Sequence, residues 1–148
     1  KTRNNKMKKI LIVNANYYEN VSSSLVEEAR KILLKYKIKT EIINVPGVFE
    51  VPITIRKYIK RYDGFVVLGC VIKGETPHFN LICSSTFDAI LKLSIDFNKP
   101  ISNGIITALS MKQAKDRSSF KSNSLKHNKG LEAAKAVIAI MENEPKKI

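Results

Sequence analysis

The chain has 148 residues, 44% of them hydrophobic and 26% charged, an ordinary globular composition that fits one domain with a genuine core. It has no apolar run near the ~18–20 residues a membrane span needs and no secretory leader pattern, and two cysteines, Cys70 and Cys83, fit neither a disulfide scaffold nor a zinc site, so a cytoplasmic protein is expected. The formal net charge of +13 sits mainly in residues 1–9 and 111–130, and no basic stripe interleaved with aromatics accompanies it, which argues against a nucleic-acid partner.

Residues 1–9 read as a flexible basic tail, residues 10–143 as one domain, and residues 144–148 as a C-terminal tail. Within the domain, short apolar runs at 10–15, 41–45, 65–71 and 104–109 are nearly continuous rather than alternating, the mark of strands buried on both faces. Helical patterns lie between them. Ser24 and Glu27 form a capping-box pattern before the stripe Leu25, Ala29, Ile32, Leu33 and Tyr36. Residues 52–62 predict a shorter helix. Ile82, Thr86, Ala89, Leu93 and Phe97 make a further stripe, and Ala133, Ala134, Val137, Ile138 and Met141 the last. This alternation predicts an α/β fold, an open, doubly wound sandwich around a parallel sheet with right-handed crossovers. In such sheets ligands sit beyond the carboxyl ends of the strands.

Each strand end therefore holds candidates. After the first run stands Asn16-Tyr17-Tyr18, where an aromatic either stacks on a flat heterocycle or packs on its neighbours. After the second, Pro46 and Gly47 fix a turn before Val48-Phe49-Glu50. Glu50 is either a plain carboxylate favoured by a helix dipole or an acceptor for ligand hydroxyls. The third run leads into Cys70-Val71-Ile72-Lys73-Gly74-Glu75-Thr76-Pro77-His78. Thr76 suits an N-cap and Pro77 the first helical position, so free N–H groups beside Gly74 would make an anion site. His78 would fall in that first turn, either structural or placed to take and return protons. After the fourth come Lys112, Lys115, Arg117 and Lys121. An arginine here can clasp a phosphate through two hydrogen bonds, but spacing does not choose Arg117 over its neighbours, and the lysines also suit a solvated face. No P-loop spacing occurs. The residues thus describe a doubly wound domain suited to a flat, anionic small molecule without naming a reaction.

The ordered set V-P-G-V-F-E-V-P (45–52), G-C-V-I-K-G-E-T-P-H-F (69–79), N-G-I-I-T (103–107), Q-A-K-D-R (113–117) and N-K-G-L-E-A-A (128–134) resembles the lumazine synthase family of riboflavin biosynthesis. The likeness runs from about Lys8 to Met141. It implies a flavodoxin-like three-layer αβα sandwich with a four-stranded parallel sheet, assembled as a homo-oligomer, a pentamer or a 60-subunit shell, with active sites at subunit interfaces. It also implies condensation of 5-amino-6-ribitylaminouracil with 3,4-dihydroxy-2-butanone 4-phosphate to give 6,7-dimethyl-8-ribityllumazine, with loss of phosphate and water. No metal or redox cofactor and no membrane enter that scheme, and riboflavin synthase becomes a candidate partner. A relative that binds a lumazine or flavin without catalysis is the alternative.

By matching position, the resemblance puts Tyr17 on the pyrimidine ring and Val48, Phe49 and Glu50 on the ribityl chain. Cys70, Val71 and Ile72 line the pyrimidine pocket, while Glu75 and Thr76 belong to the phosphate turn. His78 matches the proton-transfer residue, Asn103 a contact to the heterocycle, Arg117 the phosphate-binding arginine and Lys129 a polar contact, with Glu132 orienting Arg117. Tyr17 stands where the family usually has Phe or Trp, Tyr18 where Asn is commoner, and Asn103 where many members have Phe. The loop 118–127 is about four residues longer than the family pattern.

Overall fold

The structure is a computed structural model that describes residues 6–119 and 128–148. The first five residues of the basic tail, and most of the lengthened loop, lie outside the described residues. The strands are β1 (Lys9–Ala15), β2 (Lys39–Val45), β3 (Gly64–Ile72) and β4 (Ile101–Ala108). Helices α1 (Glu19–Lys35), α2 (Val51–Tyr58) and α3 (His78–Phe97) alternate with them, and α4 (Met111–Arg117) and α5 (Lys129–Glu142) follow. The sheet is parallel throughout, in the order β2-β1-β3-β4. It is the flavodoxin-like α/β sandwich expected.

Alternate residues of the central strands feed two cores. Ile10, Ile12, Val66, Leu68 and Ile106 pack under α1 and α5 with Leu25, Ala29, Ala134 and Val137. Leu11, Val13, Phe65, Val67 and Ile105 pack under α2 and α3 with Ile55 and Ile90. Burying each such aliphatic side chain is worth about 1.5–3 kcal/mol, so β1 and β3, sandwiched between both cores, anchor the domain. The chain leaves β1 toward β2 and then crosses to β3 on the other side. The carboxyl ends of β1 and β3 are therefore the switch point where a crevice opens.

Several local expectations are corrected. The 41–45 run was expected to be buried on both faces, yet β2 is an edge strand whose residues are mostly exposed, with only Val45 buried. Polar Ser102 and Asn103 hid the start of β4, which pairs with β3 from Ile101 onward. Helix α1 begins at Glu19, so Ser24 lies inside it and the capping box does not open it; the Tyr18 carbonyl instead accepts from Val21 and Ser22 N–H at 3.0 and 2.9 Å. Helix α2 ends at Tyr58, short of the 52–62 expected. Pro77 takes the N-cap position of α3 in place of Thr76, whose hydroxyl oxygen still accepts from His78 N–H at 3.4 Å.

Helix α3 carries apolar side chains on its exposed side as well as its buried one, interleaved with polar residues such as Asp88 and Lys92. Thr86 and Ile90 are buried, but Leu81, Leu91 and Ile95 are 62–70% exposed on the protomer.

Candidate active site

Three strand ends and one helix start meet around a cleft of about 690 Å³. The turn after β1 contributes Tyr17 and Tyr18, whose rings meet edge to face at 4.9 Å and 80°. Tyr17 is 74% exposed, so one face of its ring is open to a ligand. After β2, a 3-10 turn at Val48–Glu50 leads straight into α2. Val48 is buried as floor, while Phe49 projects into solvent at the rim. Glu50 holds the N-cap position of α2, where its carbonyl accepts from the Thr54 hydroxyl at 2.8 Å. Both Glu50 carboxylate oxygens lie 3.8 Å from where a side chain on Gly47 would begin. That is an ordinary van der Waals distance, so the carboxylate folds back over the turn close to Gly47 without requiring a glycine there.

The wall is the end of β3. Cys70 is buried there, and Val71 and Ile72 are half-buried. Burial pushes the Cys70 thiol up to about 11. Its thiolate fraction at pH 8 is then about a hundredfold below that of a free cysteine, so the side chain acts as an inert apolar surface. Alkylation by iodoacetamide, read peptide by peptide by mass spectrometry, is expected to label Cys70 at least tenfold more slowly in the folded protein than in urea at the same pH. Equal rates would contradict the burial.

The loop 73–77 separates that wall from α3, and the first residue of the helix is His78, which borders the cleft. Leu81, Ile82 and Ser85 follow on the same side, three, four and seven positions on, the spacing of one helix face. These three are cleft residues that the sequence reading did not pick out, and Tyr18, read there as one of two strand-end aromatics, joins them. Helical periodicity counted from His78 would have found the three on α3.

Of the expected site residues, Tyr17, Val48, Phe49, Glu50, Cys70, Val71, Ile72 and His78 therefore share one cleft. Glu75 and Thr76 are exposed in the loop immediately before His78. The others stand elsewhere. Asn103 lies mid-strand in β4, in register with Val67, and its side-chain oxygen accepts from Ile105 N–H at 3.0 Å. Arg117 is exposed at the end of α4, a helix opened by Ser110, whose hydroxyl accepts from Gln113 N–H at 3.2 Å. Lys129 opens α5 behind the buried cap Asn128, which accepts from Leu131 N–H at 3.0 Å. The carboxylate of Glu132, the residue expected to orient Arg117, lies 3.7 Å from Lys129 on the protomer. One helical turn brings that pair together, whereas Arg117 belongs to a different helix.

Among the described residues, no three His, Cys, Asp or Glu side chains meet as a metal site, and no helix is long and apolar enough to cross a membrane. The cleft offers a flat apolar wall, an aromatic face, one carboxylate and one imidazole, a set suited to a polar heterocycle carrying hydroxyl groups.

Comparison with known proteins gives the chain a family. The family model for 6,7-dimethyl-8-ribityllumazine synthase matches residues 7–144. The protein of that name from Limosilactobacillus reuteri is 35% identical over 133 residues, 88% of this chain and 85% of the relative. The one from Campylobacter jejuni (strain 81-176) is 36% identical over 138 residues, 90% and 87% of the two chains. That from Beijerinckia indica is 33% identical over 136 residues, 89% and 73%. The match spans every strand and helix that builds the cleft, and the chain belongs to the 6,7-dimethyl-8-ribityllumazine synthase family of transferases.

Proposed function

We propose that the cleft binds 5-amino-6-ribitylaminouracil and brings its 5-amino group to the ketone of 3,4-dihydroxy-2-butanone 4-phosphate. Tyr17 covers the pyrimidine, whose edge lies along Cys70, Val71 and Ile72. The ribityl chain runs over Val48 and Phe49, with its hydroxyls donating to Glu50. The phosphate rests on the turn of Glu75 and Thr76 at the start of α3, where backbone N–H groups and the helix dipole favour an anion. His78 stands beside the reacting centre. It takes the proton released as the amine attacks the ketone and returns one as water and phosphate leave. Holding two substrates in reactive contact supplies the larger part of the acceleration, up to ~7–11 kcal/mol for good orientation.

One observation carries the reading: the residues of this scheme fall into two groups on the protomer. His78 lines the cleft with the pyrimidine and ribityl residues, while Arg117, Lys129 and Glu132 lie outside it on α4 and α5. The site is completed between copies, a neighbouring protomer bringing Arg117 to the phosphate held beside His78. The exposed apolar side chains of α3 are the surface such an assembly covers. A ring of five is the arrangement proposed.

Mixed oligomers test this. His78→Ala and Arg117→Ala are each expected to be impaired alone. Refolded or co-expressed together in equal amounts, they recover about a quarter of wild-type sites, because some interfaces then pair an intact His78 with an intact Arg117. No recovery above the average of the two single variants would place both residues in one protomer and remove the shared site.

A further inference from the structure

Tyr17 projects from a short turn and is 74% exposed, and among the described residues the aromatic ring it meets is that of Tyr18. A side chain so placed samples several rotamers, and stacking on a ligand requires it to give up that freedom. Tyr18 is held from several directions. Its carbonyl accepts the two hydrogen bonds that open α1, from Val21 and Ser22 N–H. Its ring packs against the core beneath α1 and α5 and also borders the cleft. Burial, with Tyr17 and Cys70 alongside, pushes its phenol above the ordinary value, so the group is neutral throughout the physiological range.

We propose that Tyr18 is a positioning residue for the heterocycle subsite: its fixed ring, with its centroid 4.9 Å from that of Tyr17 and the two planes at 80°, holds Tyr17 in the orientation that stacks on the ligand. The inference rests on the stacking role proposed above for Tyr17. The contact belongs to the ring and not to the hydroxyl, so phenylalanine at this position keeps it and an aliphatic side chain loses it. The energy expended on ordering Tyr17 then appears as weaker binding of the flat ligand, with the chemical step untouched.

The test is a double-mutant cycle on the intact assembly, with 6,7-dimethyl-8-ribityllumazine as the fluorescent probe. Tyr18→Leu retains apolar volume against the core, and an unchanged melting temperature identifies a folded variant. Tyr17→Ala is expected to weaken probe binding about tenfold and Tyr18→Leu about three- to tenfold, with Tyr18→Phe restoring wild-type affinity. The double variant Tyr17→Ala/Tyr18→Leu binds no worse than Tyr17→Ala, since Tyr18 acts only through Tyr17. In turnover, Tyr18→Leu raises KM for the pyrimidine by the same factor and leaves kcat and the KM for the ketose phosphate within twofold. Additive losses in the cycle, or wild-type affinity in Tyr18→Leu beside a weakened Tyr17→Ala, overturn the positioning role alone. Wild-type affinity in Tyr17→Ala overturns the stacking reading itself.

Discussion

His78→Ala is expected to lower kcat about 10²-fold with little change in KM, the low end of what a positioned acid–base group contributes. The low end applies because an amine and a ketone condense unaided once brought together, so orientation rather than proton transfer dominates the barrier. His78 is exposed and its N–H is held by the Thr76 hydroxyl oxygen at 3.4 Å. Removing the imidazole therefore leaves the helix start in place, and the melting temperature should stay near that of the wild type. Arg117→Ala has a different signature. A charge-assisted contact to phosphate is worth about 1.5–3 kcal/mol, so KM for the ketose phosphate rises roughly 10- to 100-fold while affinity for the pyrimidine is retained. Both are read by lumazine absorbance against a no-enzyme blank. If both variants turn over at the wild-type rate, neither residue has the role assigned to it.

The cleft was legible because each of its walls begins where an apolar run breaks into a turn. Pro46-Gly47 after β2 and Gly74 after β3 mark such breaks, and Val48, Phe49 and Glu50 after the first and Cys70, Val71 and Ile72 before the second line one cleft. The edge character of β2 was not legible. Ile42, Ile43 and Val45 read like a central strand, and only the order of strands in the sheet reveals that β2 pairs on one side alone. The start of α1 was misplaced for a local reason. A capping box is a competing preference, and here the strand-to-helix turn at Tyr17-Tyr18 sets the boundary first. Arg117 and Lys129 mark a deeper limit. Spacing does not choose Arg117 over its neighbours, the resemblance assigns both to the site, and on the protomer both stand outside the cleft, on α4 and α5.

Gly130 is the position at which a single methyl group should matter most for folding. It lies in the first turn of α5, where alanine would ordinarily favour the helix by about 1 kcal/mol. Here a side chain would begin 2.1 Å from the Leu25 carbonyl oxygen of α1 and 2.7 Å from its carbon. That neighbour is main chain inside a packed helix and cannot swing aside as a flexible side chain would. The clash outweighs the propensity gain, and overpacking of this kind costs about 3 kcal/mol or more. Gly130→Ala is therefore expected to melt about 10 °C lower. It should also lose activity beyond that loss of stability, because α5 carries Lys129 and Glu132 and must shift away from α1. Gly74→Ala is the control, since nothing lies within 4 Å of the side chain it would add. Its melting temperature should stay within about 2 °C of the wild type, the range of a harmless surface change. Equal melting temperatures for the two variants would mean that the close approach of α5 to α1 does not exist in solution.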